Sequence, residues 1–325
     1  MANLDKIYTK GNSFRARAET RQREYRTNIL KAEPGVWGHF LQDSDAYNGR
    51  NFVNQIAFQS AQYRKSKGKG IADRTFNNML SSQAMCFNLF APLQKDKELA
   101  SRVLSNFFPD LDTVNELIIE YTPENDIFGD QSNLGGVDCD VLIEGKDSGG
   151  KLIIIVIEAK FVETEFSICG FRKPGRLSKK REVCPDDIPI YSSMNKCLYV
   201  FKKHYLYWEK SNKYNTLVID KFPISGCPFA GPLWQLWTNH TLAHAEAAKR
   251  GAIKSYFAVC APSLNKKLLK DGKILEQFRY FLKCPGSLVF IDLDEFIKTI
   301  TLVVANQNPE QRVWIDSLAA RYANI

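Results

Sequence analysis

What the 325-residue chain lacks narrows its function before any motif is read. Its most apolar run, Leu152 to Ile157, is far shorter than the roughly 20 residues a membrane-spanning helix needs. No stretch reads as a signal peptide, so a cytoplasmic setting without membrane contact is expected. No Gly-x-x-x-x-Gly-Lys-Ser/Thr phosphate loop is present; the basic segment Tyr63 to Gly70 has the residue types but not the order, so any ATP-driven motor would be a separate chain. Histidine is scarce, at four residues. His240 and His244 have zinc-protease spacing, but Thr241 stands where that motif needs glutamate. No Cys-x-x-Cys pair occurs, and eight irregularly spaced cysteines in a chain this long do not form a secreted disulfide framework. Internal repeats, low-complexity tracts and domain-splitting linkers are also missing.

What remains is an ordinary globular composition, 44% hydrophobic and 25% charged, enough for one large domain with elaborations. The net charge of +8 points to an anionic partner. Positive charge is concentrated in two places. Met1 to Leu30 carries Lys6, Lys10, Arg15, Arg17, Arg21, Arg23 and Arg26, and reads as either a solvated helix or an arm that tracks phosphates. Cys169 to Cys197 carries Arg172, Lys173, Arg176, Lys179, Lys180 and Arg181.

The informative stretch is Gly135 to Phe161. Val137 to Glu144 reads as a strand, Gly145 to Gly150 as a turn, and Lys151 to Phe161 as a second strand whose apolar centre suits burial on both faces. Charges follow at once. Glu158 and Lys160 point the same way because strand side chains alternate, and Asp138 and Asp140 likewise share a face. Paired as a hairpin, one or both aspartates sit beside Glu158. Like charges this close raise each other's pKa, and a divalent cation removes the conflict. Oxygen-rich, partly hydrated sites suit Mg²⁺ or Mn²⁺, which polarise a phosphoryl oxygen and activate water, with the lysine steadying developing charge. The residue set fits metal-assisted phosphodiester hydrolysis.

Asp140, a Gly-rich turn, an apolar strand and then Glu158-Ala159-Lys160 resemble the PD-(D/E)XK nuclease superfamily. The resemblance implies a restriction-endonuclease-like α/β fold, a mixed central sheet flanked by helices, with helical additions at both termini. Asp140 is the better match for the motif aspartate because Val141-Leu142-Ile143 follows it; Asp138 is the second choice. Asp140 and Glu158 would bind Mg²⁺ or Mn²⁺, Lys160 would assist the attacking water, and Gln235 in Trp234-Gln235-Leu236-Trp237 would support the site, as a glutamine-bearing helix does in many superfamily nucleases. The helix before the hairpin lacks the acidic residue often found there, so that carboxylate is either absent or supplied by Glu120 as an accessory ligand, the alternative for Glu120 being a solvated strand end. With the helix Ser81 to Phe90, the hairpin and the 234–237 helix, the chain resembles a bacterial branch described as restriction endonucleases. That implies DNA as partner, and double-strand cleavage favours a homodimer. The same fold cutting RNA or branched DNA, or binding without cutting, are the alternatives. Some superfamily members hold an iron–sulfur cluster through four cysteines, and Cys169, Cys184, Cys197 and Cys227 are the candidates for such a cluster or for zinc; their long spacings, none of them Cys-x-x-Cys, favour the alternative of mostly buried, unliganded thiols.

Periodicity predicts helices over Thr75–Leu93, Lys95–Phe108, Met194–Trp208, Gly231–Lys249, most of Ser263–Leu282, Leu293–Val304, and Pro309–Tyr322 with Val313, Leu318 and Tyr322 inward. Strands are predicted over Val114–Tyr121, Ser255–Ala261 and Ser287–Asp292. The expected organisation is an N-terminal arm and helical extension (1–74), a nuclease core (75–292) with a basic, cysteine-containing insertion at about 165–227, and C-terminal helices (293–325) packed on the core.

Overall fold

A computed structural model describes residues 5–68, 70–129, 137–172, 183–304 and 309–325. Its centre is a five-stranded sheet whose spatial order follows the chain: β1 (Thr113–Tyr121), β2 (Cys139–Lys146), β3 (Leu152–Ala159), β4 (Lys254–Ala261) and β5 (Leu288–Asp292). The first three strands are antiparallel neighbours, and β3–β4 and β4–β5 are parallel, so the sheet is mixed. This is the expected α/β fold.

β3 lies in the middle and is buried on both faces. Ile153, Ile155 and Ile157 pack into one hydrophobic core, Ile154 and Val156 into the other. Each is worth about 1.5–3 kcal/mol when fully buried, which is why this run carries no polar residue until its end. Gly145, expected in the turn, lies inside β2 opposite Ile153 and Val114. A Cβ there would stand 2.3 Å from Leu111 Cδ1 and 2.6 Å from Thr113 O, so only glycine lets β1 approach.

The first core is covered by helices from both ends of the chain: Phe14–Tyr25, Gln55–Ser66, Ser82–Lys95, Lys97–Leu104, Leu293–Val304 and Pro309–Tyr322. The second is covered by Leu233–Arg250, Lys273–Phe281 and the long connection between β3 and the 233–250 helix. The N-terminal helix is docked rather than trailing. Its Glu19 carboxylate accepts from the backbone of Tyr8 and Thr9, both at 2.7 Å, and Gln22 Nε2 donates to Arg321 O at 2.7 Å.

Three predicted helices are broken by local chemistry. Thr75–Leu93 divides into Arg74–Asn77 and Ser82–Lys95, because Asn78 Oδ1 accepts the Leu80 N–H and the Ser81 hydroxyl caps the second helix through the Ala84 N–H. Met194–Trp208 divides at His204, whose φ of 56° ends Leu198–Lys203 before Tyr207–Lys213 begins. Ser263–Leu282 divides at Lys270, Asp271 and Gly272, all with positive φ, between Lys266–Leu269 and Lys273–Phe281. In the last helix Leu318 and Tyr322 face inward as expected, but Val313 is exposed and its neighbour Trp314 takes the buried position. Trp314 Nε1 donates to Asn88 O, which rotates Val313 toward solvent.

Polar groups, not apolar contact alone, hold the termini together. Arg321 is fully buried; it donates to Asn51 O (2.5 Å), Asn51 Oδ1 (2.9 Å) and Gln22 Oε1 (2.9 Å). Buried Asn88 donates to Tyr322 Oη and accepts from the Val53 N–H, each at 2.9 Å. Replacing Arg321 with Met should cost on the order of 3 kcal/mol, since several buried acceptors lose their donor at once. Urea unfolding of Arg321→Met against wild type measures this; a change below about 0.5 kcal/mol, the size of a surface effect, would refute the assignment.

Candidate active site

The register of the hairpin decides the site. Val141 pairs with Ile157, so the next residues outward, Asp140 and Glu158, lie across from each other where the β2–β3 ladder ends. Asp140 Oδ2 accepts the Ala159 N–H at 2.6 Å, taking the place of a ladder carbonyl. On the other side Ile119 pairs with Val141 and Tyr121 with Cys139, which brings Glu120 beside Asp140. Glu120 has φ 55°, a left-handed conformation uncommon for a side chain of this size and costing about 1 kcal/mol or more.

Glu158 is 3% exposed and fully engaged. Its Oε1 receives Lys160 Nζ at 2.6 Å and Gln235 Nε2 at 2.7 Å; its Oε2 receives Asn239 Nδ2 at 2.6 Å. Gln235 and Asn239 are four apart on the 233–250 helix and so share a face. Gln235 Oε1 accepts the Ser167 N–H at 3.0 Å, tying the helix to the segment after β3. The Lys160 N–H donates to Cys260 O, so the lysine backbone is still held by β4.

Electrostatics follow from burial and crowding. The Asp140 carboxyl is held well above the usual range by burial, then by the charges of Glu158 and Glu120, against the opposing pull of Lys160 and the Ala159 N–H. Glu120 is pushed up to about 7, mainly by burial and also by Glu158 and Asp138, with Gln83 and Arg64 opposing. Burial alone would lower the Lys160 ammonium, but Glu158, Asp140 and Glu163 outweigh it and raise it. Glu120 Oε1 is buried with no hydrogen-bond partner among the described residues. Carboxyls held protonated by burial first and by one another's charge second, with an orphaned buried oxygen among them, suit an added cation. Among the described residues no three acidic, histidine or cysteine side chains are arranged to hold an ion by themselves.

The model of the PD-(D/E)XK nuclease superfamily matches residues 9–184, a span that includes Asp140, Glu158 and Lys160. The chain belongs to this superfamily. No curated protein and no solved structure matched the chain.

Of the residues predicted for the superfamily site, Asp140, Glu158, Lys160 and Gln235 come together directly, and Glu120 flanks them. Asp138 is exposed just before β2 and acts on Glu120. Arg172 is turned to Cys184 O and Asp186. Lys173, Arg176, Lys179, Lys180 and Arg181 lie outside the described residues. Sequence reasoning missed Asn239, Glu163, Gln83 and Arg64. Asn239 was findable as the residue one helical turn beyond Gln235. Glu163 was not: its Oε1 accepts from Ser82 Oγ at 2.6 Å across 81 positions of chain, supplying a carboxylate to the helix that lacks one of its own. The polar start of that helix is now explained, since Gln83 reaches Gly70 O and the Ala72 N–H, fastening residues 70–72 beside Glu120.

The raised Glu120 carboxyl predicts a pH dependence. A carboxyl at about 7 when folded and 4.5 when free binds its proton more tightly in the folded chain. The metal-free fold is therefore favoured below 4.5 and loses stability as pH rises to 7 and above, on the order of 3 kcal/mol in total. Urea unfolding in chelator across that window should show the decline in wild type and a flatter profile in Glu120→Gln. Parallel profiles would count against it.

Proposed function

We propose that this chain is a metal-dependent endonuclease that hydrolyses DNA phosphodiester bonds, in the manner of a restriction or defence nuclease. The observation that carries this reading is the Asp140–Glu158–Lys160 constellation, held at the end of a buried hairpin by Gln235 and Asn239. A fold that only bound nucleic acid would have no use for a buried lysine kept charged beside two carboxylates. We take residues 75–292 as the core and a homodimer as the form suited to cutting both strands.

Asp140 and Glu158 would hold Mg²⁺ or Mn²⁺, with Glu120 and Asp138 as outer donors. When bound, the cation polarises the scissile phosphoryl group and makes its water acidic. The protein's own groups do the rest. Lys160 stays an ammonium at neutral pH because its carboxylate neighbours raise it, so it serves as a hydrogen-bond donor to the attacking water and to the phosphoryl oxygens on which charge grows, not as a base. Gln235 and Asn239 keep Glu158 in one rotamer; without them its carboxylate could swing away from Lys160. The net charge of +8 favours a polyanion, and the setting we propose is the cytoplasm.

The test is cleavage of supercoiled plasmid with Mg²⁺ or Mn²⁺. Wild type should nick; Asp140→Ala and Lys160→Ala should each lose about 100-fold or more, and Asn239→Leu about 10-fold. Cutting that survives Asp140→Ala and Lys160→Ala would refute this site. DNA bound but uncut by wild type would favour a binding module, and cleavage confined to RNA or branched DNA would reassign the substrate.

A further inference from the structure

Among its described residues, the connection between β3 and the 233–250 helix is poor in regular structure. The α-helices among them have six and seven residues, Leu198–Lys203 and Tyr207–Lys213. Long irregular segments inside a compact chain need something besides backbone ladders to hold them. Here Phe166, Trp208 and Phe229 are buried, and so are three cysteines, with a fourth partly buried. Cys169, Cys184, Cys197 and Cys227 come from four separate turns of this connection, yet all four line one small cavity of about 20 Å³. The cysteines expected as mostly buried, unliganded thiols are thus gathered in one place. They are unpaired by disulfides, as are the other cysteines.

Backbone bonds tie together the turns that carry them: the Arg172 N–H donates to Cys169 O at 2.9 Å, the Cys184 N–H to Phe171 O at 3.0 Å, and the Ala230 N–H to Cys227 O at 3.2 Å, while Ala230 O accepts the Cys169 N–H at 3.3 Å. Charged sulfurs here need a cation, and thiolates select zinc and iron–sulfur clusters over hard metals.

We infer that Cys169, Cys184, Cys197 and Cys227 form a tetrathiolate centre for a thiophilic metal, either zinc or an iron–sulfur cluster, which holds the connection together. No three of them are now arranged for a single ion. Zinc would draw the sulfurs inward to Zn–S distances of about 2.3 Å, whereas a cluster would keep them apart. Binding releases the thiol protons to solvent. The centre also bears on the other site without joining it. Trp234 and Ala230 line the cavity, Gln235 follows Trp234, and Ser167 two residues before Cys169 bonds Gln235. Metal here would fix both the helix and the segment that clamp Glu158.

Full-length protein purified without oxygen, with no added metal and again after reconstitution with zinc or with iron and sulfide, is analysed for zinc, iron and acid-labile sulfide. The expected result is near-stoichiometric zinc, or iron with sulfide and visible absorption. Which one appears identifies the metal. Serine at any of the four positions should lower retention about 10-fold or more, while Cys284→Ser, at an exposed cysteine, should leave it unchanged. Should serine variants fail to fold, wild type still decides the matter: the four thiols should resist alkylation until a chelator is added. Sub-stoichiometric metal after reconstitution, equal metal in all variants, alkylation insensitive to chelator, or a disulfide among the four in freshly reduced protein would each overturn the inference.

Discussion

Burial of β3 on both faces is the constraint from which the rest follows. A strand of consecutive apolar residues gains only if both sheet faces are covered, so helices from both ends of the chain and the long 160–232 connection are drawn onto it. The same burial pins the register. A slip of one residue would turn every side chain of β2 to the opposite face, and Gly145 allows β1 to approach at only one place. With the register set, Asp140 has nowhere to lie but across from Glu158.

The charged end of that hairpin is then a consequence of geometry that the fold must tolerate. Three carboxyls and an ammonium meet where the sheet stops, and burial makes their repulsion count. The surroundings compensate unevenly. Glu158 has a donor on each oxygen from Lys160, Gln235 and Asn239, whereas Glu120 sits in a strained backbone conformation with one oxygen unpartnered among the described residues. Such uneven compensation is unlike a purely structural ion-pair network, which gains from satisfying every member.

Two of the elements that complete the site come from far along the chain. The helix 233–250 follows β3 by 73 residues of intervening chain, Lys160 to Pro232, and the 82–95 helix precedes β2. That the first returns to β3 depends on how the intervening connection is held, which is why the four gathered cysteines matter to more than their own surroundings. The packed termini play the corresponding part on the opposite face, where Arg321, Asn51, Asn88 and Tyr322 link the first and last helices to the 82–95 helix.

By itself the sequence determined the local and periodic features: the hairpin, the Glu158-Ala159-Lys160 motif, the helices at 293–304 and 309–322, and the helix that carries Gln235. These follow from alternation, helical periodicity and turn residues, which act over a few positions. Only the tertiary structure decided the contacts that join distant positions: Glu163 with Ser82, Asn239 with Glu158, Gln83 beside Glu120, and four cysteines around one cavity. It also decided where side-chain capping overrode periodicity, as Asn78 and Ser81 did in splitting the 75–93 segment. The physical reason is range. Propensity is a property of neighbours in sequence, whereas the protonation of a buried carboxyl, or the gathering of loosely spaced thiols, depends on packing that no local pattern encodes.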